Sequence, residues 1–252
     1  MKRRDTTIDG MAVRYYEAGD GPPVVLLHGA GGTARLWHRQ FPPLSGHLRV
    51  IAPDLPGFGG SDFDPSIKSV QDYAGFLRRF LAALEIDRAS VVGSSFGGWI
   101  ACWFSVRYPE IVDRLALISP AGLHDPSHPP IPLPELLDSI TALYHKDGIV
   151  SGTGEPNELD RAVSTITELA DTGGFAPDLD GVLGGVMAET LIVWGTDDRI
   201  IPVSHARMFT GAIKSSALLL LDGAGHMPQI EDADTINRLL LDFLTGQRQN
   251  IR

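Results

Sequence analysis

Six short apolar runs punctuate the chain, at Val24–Leu27, Val50–Ala52, Ser90–Val92, Leu115–Ile118, Leu191–Trp194 and Ala217–Leu221. They are too continuous for strands with one wet face, so they are expected to be buried strands of a mostly parallel sheet. Thr6–Ile8 and Ala12–Glu17 flank Asp9-Gly10, a pair suited to a tight turn, so an antiparallel hairpin should come first. Helical periods fill the gaps. Val70 to Leu84 sets Tyr73, Leu77, Phe80, Leu81 and Leu84 on one face, and Ile236 to Leu244 does likewise with Leu239, Leu240 and Phe243. This alternation predicts an α/β architecture, a twisted sheet flanked by helices.

The rhythm breaks after Ile118. From Pro120 to about Ala188 nothing reads strongly as a strand. Prolines at 126, 129, 130, 132 and 134 lead into two helical patterns, near Glu135–His145 and Glu158–Ala170, and Gly173-Gly174 and Gly184-Gly185 follow. Leu136, Leu137, Ile140, Leu143 and Tyr144 would form an apolar face on the first helix, and Leu159, Val163, Ile166 and Leu169 on the second. These faces would pack on each other and on the core, with the remainder lining a pocket. Both ends of the stretch return to the same sheet. Residues 120-188 therefore read as a helical cap over one end of a core built from 1-119 and 189-252, with an independent small domain as the competing reading.

Charge and composition narrow the partners. Lys and Arg number 21 against 31 Asp and Glu, a net charge of −10. Such a field repels nucleic acid and anionic membranes but is indifferent to a small neutral or apolar substrate. The single cysteine, Cys102, excludes an internal disulfide framework and a Cys-based zinc site; on the helix after residue 95 it reads as a small buried hydrophobe. The basic start MKRRDTTIDG is followed by no apolar stretch, and no run is long enough to span a bilayer, so a cytoplasmic location is expected.

The chemistry is concentrated in one pentapeptide, Gly93-Ser94-Ser95-Phe96-Gly97, between a predicted strand and a predicted helix. A chain turning at once from strand to helix strains its middle residue, and glycines on either side avoid clashes there. The turn exposes a hydroxyl at a helix N-terminus, where negative charge is stabilised. Ser94 has the same chemistry, but only Ser95 has glycine at both −2 and +2.

This pentapeptide belongs to an ordered set: His28-Gly29-Ala30-Gly31-Gly32, Asp54-Leu55-Pro56-Gly57-Phe58-Gly59-Gly60-Ser61, the pentapeptide with Gly98, Gly195 to Pro202, and Gly223-Ala224-Gly225-His226. The set resembles the α/β-hydrolase fold over almost the whole chain. The resemblance implies a triad of Ser95 as nucleophile, Asp198 as acid and His226 as base, in that chain order. Asp197 is the rival acid. The resemblance also implies an oxyanion hole from the backbone N–H groups of Ala30 and Phe96, and places Trp99 and Met227 on the substrate pocket wall. It calls for no cofactor and no metal. His124, His128, His145 and His205 have no comparable context, and Trp37 and Trp103 read equally well as ordinary core.

Two other classes compete. Gly29-Ala30-Gly31-Gly32-Thr33-Ala34 with Asp54 imitates a dinucleotide-binding fingerprint, but leaves Ser95, Asp198 and His226 unexplained. A non-catalytic ligand-binding member of the fold is the other. Among reactions, the serine disfavours branches needing an aspartate nucleophile. Gly97-Gly98-Trp99 and Ser119-Pro120-Ala121-Gly122-Leu123 look similar to hydrolases that split carbon–carbon bonds of vinylogous diketone ring-cleavage products. Against that stand Met227, where that group often has tryptophan, and the lack of an arginine at the start of the cap. The sequence alone thus favours a serine esterase, acting on a small-molecule carboxylic ester or lactone through an acyl-enzyme, with the C–C hydrolase as the alternative.

Overall fold

The structure is a computed structural model that describes residues 1–129, 131–146 and 157–246, the side chains of 143–146 excepted. Pro130 and the Leu143, Tyr144 and His145 side chains lie outside the described residues. Eight strands form one sheet: β1 (Lys2–Ile8), β2 (Met11–Ala18), β3 (Pro23–Leu27), β4 (Arg49–Pro53), β5 (Ala89–Ser94), β6 (Val112–Ile118), β7 (Glu189–Gly195) and β8 (Ser216–Leu221). Their order is β1-β2-β4-β3-β5-β6-β7-β8. All six apolar runs are strands, and the hairpin turns at Asp9-Gly10, whose φ values of 51° and 89° suit that pair. β1 and β2 join the sheet antiparallel, and β3 to β8 run parallel.

Eight helices accompany the sheet among the described residues: α1 (Phe41–Leu44), α2 (Val70–Ala83), α3 (Phe96–Arg107), α4 (Leu133–Lys146), α5 (Glu158–Asp171), α6 (Ser204–Ala212), α7 (Pro228–Glu231) and α8 (Ala233–Thr245). Val25, Leu27 and Val91 pack with Leu77, Phe80 and Phe104 on one face of the sheet. Their neighbours Val24, Leu26 and Val92 pack with Trp37, Phe41 and Leu240 on the other. Both faces are covered, which is why these strands are apolar at every position. Cys102, on α3, is wholly buried, and burial pushes its thiol pKa up.

β8 departs from expectation. It pairs on one side only, with β7, and none of its residues is buried; Leu220 keeps 41% of its surface exposed. An apolar run encodes a strand but not whether the sheet continues beyond it.

The helical insertion between β6 and β7 has two unlike halves, an arrangement consistent with a lid. α5 buries Ala162, Thr165, Ile166 and Leu169, whereas Leu159 and Val163 of the expected face are only partly covered. The helix is rotated because polar contacts decide its seat. The Thr165 hydroxyl donates to the Gly57 carbonyl at 3.1 Å and Arg161 to the Gly59 carbonyl at 2.6 Å. Gly57 has φ +81°, and a Cβ there would stand 2.5 Å from Thr165 Oγ1. Thr172 extends the clamp with a bond to the Lys68 carbonyl at 3.2 Å. On α4, Ile140 alone is buried among the described side chains. No helix among the described residues is long and apolar enough to cross a membrane.

Candidate active site

The parallel register levels the strand ends: Leu27 pairs with Gly93, Ser94 with Ile118, and Ile118 with Val193. Residues that follow these strands therefore share one edge, the carboxyl edge where open α/β sheets bind ligands. Ser95 is the single residue between β5 and α3, with φ 54° and ψ −116°. Holding a non-glycine residue so far from the common basins costs about 1–3 kcal/mol. The neighbours hold it there. Its N–H donates to the Ile118 carbonyl at 3.0 Å, and its carbonyl accepts from Trp99 and Ala121, each at 3.1 Å. A Cβ at Gly93 would collide with the Gly97 carbonyl, and one at Gly97 with the Leu27 carbonyl. The flanking glycines are thus required by the approach of β3 and by the first turn of α3.

Asp198 and His226 meet across two loops. The Asp198 side chain is fully buried; Oδ2 accepts from His226 Nδ1 at 2.8 Å, and Oδ1 accepts from the Ile200 and Ile201 N–H groups at 2.9 and 3.0 Å. Burial pushes its pKa up, but the His226 hydrogen bond and charge and the two backbone donors outweigh that, so it lies below the usual carboxylate value. Asp197 is exposed and takes no part in the pair. The Gly195 backbone lies against the Ala224 and Gly225 carbonyls, where no Cβ fits, and this brings the histidine loop onto the acid's strand. Glu231 grips that loop on both sides of His226, through the N–H groups of Gly225 and Met227.

Ser95 and His226 line the same cavity, of about 710 Å³, without a hydrogen bond between them among the described residues. Such contacts are often loose before substrate arrives. Ala30, Phe96, Trp99 and Met227 also line it. The N–H of Phe96 opens α3, where no intrahelical acceptor is available. Ala30 is placed by His28, whose Nδ1–H donates to the Gly29 carbonyl at 2.8 Å while Nε2 accepts from the Leu55 N–H at 3.0 Å. These partners fix one neutral tautomer, and complete burial lowers the ring's pKa to about 4.

Trp99 is locked from behind. Its indole N–H and that of Trp103 both donate to Asp178 Oδ1 at 2.7 Å, and Gln71 donates to Oδ2 at 3.2 Å. Phe175, on the segment returning from α5, stacks on Phe96 with centroids 5.5 Å apart. Trp37 is fully buried, whereas Trp103 is held half-buried by this carboxylate.

Some wall residues have no signature in the sequence. Asp125, His128, His205 and Gln229 line the cavity, although neither histidine stood out by context. Each depends on a loop path that no motif encodes. Gln229, three residues beyond His226, donates to Ser94 Oγ at 3.0 Å. Asp54, which seemed available to a nucleotide ribose, is buried and accepts from Ala34 N–H at 2.7 Å and Gly60 N–H at 2.9 Å. That use disposes of the dinucleotide reading. Among the described residues no group of three or more His, Cys, Asp or Glu side chains could hold a metal ion.

Comparison with known proteins agrees with this geometry. The family model described as alpha/beta hydrolase fold matches residues 22–148 and 157–233. A 2-hydroxy-6-oxo-6-phenylhexa-2,4-dienoate hydrolase of Comamonas testosteroni is 30% identical, over 96% of this chain and 94% of its own. A 2-hydroxy-6-oxononadienedioate/2-hydroxy-6-oxononatrienedioate hydrolase of Pseudomonas putida is 33% identical, over 97% and 95%. The solved structure of a meta-cleavage product hydrolase from Pseudomonas fluorescens superimposes with a TM-score of 0.80 at 27% identity, covering 97% of this chain and 98% of that one. The chain belongs to the α/β-hydrolase fold family, in its serine-nucleophile, C–C-hydrolase-like branch.

Proposed function

We propose that this hydrolase cleaves a carbon–carbon bond in a vinylogous diketone formed by ring cleavage, rather than the carboxylic ester favoured by sequence alone. The observation that carries the choice of bond is similarity, at 30–33% identity and over more than nine-tenths of each chain, to hydrolases of 2-hydroxy-6-oxo dienoates. The cavity supports it with a volume of about 710 Å³ and walls that are mostly apolar apart from a few placed polar groups.

In this reading Ser95 is the nucleophile. His226 takes its proton, and Asp198 holds the imidazole with Nδ1–H toward the carboxylate and stabilises the cation that forms. The hydroxyl oxygen adds to the 6-oxo carbonyl, whose oxygen moves toward the N–H groups of Phe96 and Ala30. The carbon–carbon bond beside that carbonyl then breaks. Its electron pair passes through the conjugated chain to the distal carbonyl of the keto tautomer, and the enolate oxygen formed there takes a proton. Water activated through His226 hydrolyses the acyl-enzyme, releasing a carboxylic acid and restoring the serine. Residues 120-188 serve as the lid, and Trp99 and Met227 shape the pocket beside the serine.

The test is a side-by-side assay of 2-hydroxy-6-oxo-6-phenylhexa-2,4-dienoate and nitrophenyl esters of increasing acyl length. A kcat/KM at least tenfold higher for the dienoate supports the proposal. Esters preferred over the dienoate would favour the second reading, carboxylesterase or lactonase, which draws on Met227 and on the esterase-like segment His226 to Glu231.

A further inference from the structure

A second His–Asp pair lines the cavity that His226 also lines. Asp125 Oδ2 accepts from His128 Nδ1 at 2.9 Å, against 2.8 Å for Asp198 and His226. Asp125 also accepts from the Ser127 N–H at 2.9 Å and the Ser204 hydroxyl at 3.2 Å. The hydrogen bond from His128, then that from Ser127, hold its pKa down to about 2. With a fixed anion at Nδ1, the neutral His128 ring carries its proton there and leaves the Nε2 lone pair as a base.

His205, at the start of α6, adds an independent observation. It is 6% exposed, lines the cavity, and neither ring nitrogen has a hydrogen-bond partner among the described residues. Its Nε2 lies 3.8 Å from Asp125 Oδ2. Burial, foremost, lowers its pKa, with His128 acting in the same direction and Asp125, Asp180 and Asp198 opposing. Arg199 is the cation nearest in sequence on the cavity wall. Burying an imidazole without a partner carries a desolvation penalty that a polar group on a ligand would remove.

We propose that Asp125, His128 and His205 form a second acid–base site, which binds an enol hydroxyl of the substrate remote from the carbonyl attacked by Ser95. The inference rests on the C–C reading above, because only the keto tautomer can accept the electron pair of the breaking bond. His128 Nε2 takes the hydroxyl proton, so the O–H bond breaks, an N–H bond forms and the electron pair spreads from oxygen into the diene. His205 donates a hydrogen bond to the resulting oxyanion. The carbon beside the scissile carbonyl takes a proton from water, and His128 returns its own to solvent. The net change is an isomerisation, with nothing oxidised or reduced.

The test uses the full chain and 2-hydroxy-6-oxo-6-phenylhexa-2,4-dienoate, whose conjugated enolate absorbs at longer wavelength than the enol. In a Ser95→Ala chain, which retains the substrate uncleaved, mixing should develop the enolate band. Adding His128→Gln or His128→Asn should abolish the band, and Ser204→Ala, which loosens the loop without removing the base, should keep it. With Ser95 present, His128→Gln should lower kcat/KM on the dienoate about 10²-fold or more, the usual worth of a general base. The loss should be far smaller on nitrophenyl acetate, which has no enol hydroxyl. A band that survives His128→Gln, a band lost equally in Ser204→Ala, or equal losses on the two substrates would overturn this inference alone. An unsubstituted chain that leaves the dienoate intact would overturn the C–C reading and this inference with it.

Discussion

The two His–Asp pairs beside the cavity are built on different principles. At the sheet edge, Ser95, Asp198 and His226 follow strands whose register is fixed by parallel pairing, and Gly93, Gly97 and Gly195 beside them leave no room for a side chain. The cap instead contributes groups from a loop, 121–129, and from two helices of unlike attachment. The paired side chains show the contrast. Asp198 and His226 are 0% and 7% exposed, whereas Asp125 and His128 keep 11% and 49%. Both pairs share one hydrogen-bond geometry, but the Asp198–His226 pair is enclosed by the core whereas the Asp125–His128 pair sits on a loop of the insertion.

The sharpest break in this comparison is Ser95→Ala, which should lower turnover on the order of 10⁶-fold while circular dichroism and melting stay unchanged. Unaltered turnover in the purified variant would sink the nucleophile assignment. Next comes Asp198→Asn, expected to lower kcat about 10⁴-fold because the imidazole loses its correct tautomer. Asp197→Asn, measured beside it, should stay near the parent rate. Matching losses in the two variants would mean that the acid has been misassigned.

A third experiment weighs the core alone. His28 titrates at about 4 in the folded chain against 6.5 unfolded. Between those values the unfolded chain binds a proton that the folded chain refuses, so stability falls as pH drops through 6.5 and stops falling near 4. The full effect is about 3 kcal/mol at 1.36 kcal/mol per unit. Denaturant midpoints from pH 7 to 4 should show this slope, and His28→Gln should flatten it; the same slope in both proteins would count against the burial argument.

Smaller effects separate the halves of the cap. Gly57→Ala puts a methyl group against Thr165 at positive φ and should cost about 2 kcal/mol, roughly 6 °C in melting temperature for a chain of this size. Ile140→Ala, at the one buried side chain described on α4, should lower melting by less than Gly57→Ala and raise KM about tenfold through lost apolar contact in the pocket. A drop in melting temperature as large as that from Gly57→Ala would show that α4 is as firmly attached as α5.

The same division decides what could be read in advance. The strands, the hairpin, the nucleophile turn and the Asp198–His226 pair are local patterns or ordered motifs, and their short-range sterics are visible in the residues. The seat of α5 was not, because Thr165 and Arg161 bond to carbonyls more than 100 residues away. Asp125, His128 and His205 are not legible as a group for the same reason: a loop and a helix start, 77 residues apart at their nearest, must converge before they mean anything. The exposure of β8 depends on what lies beyond the last strand, and no residue of β8 encodes that.

Cys102 gives the molecule a built-in clock. It is the single thiol of the chain, buried on α3 about two helical turns beyond Ser95, and its raised pKa makes it inert while that seal holds. A thiol reagent can therefore react only when α3 itself lifts away, so its labelling rate times the opening of the floor beneath Ser95.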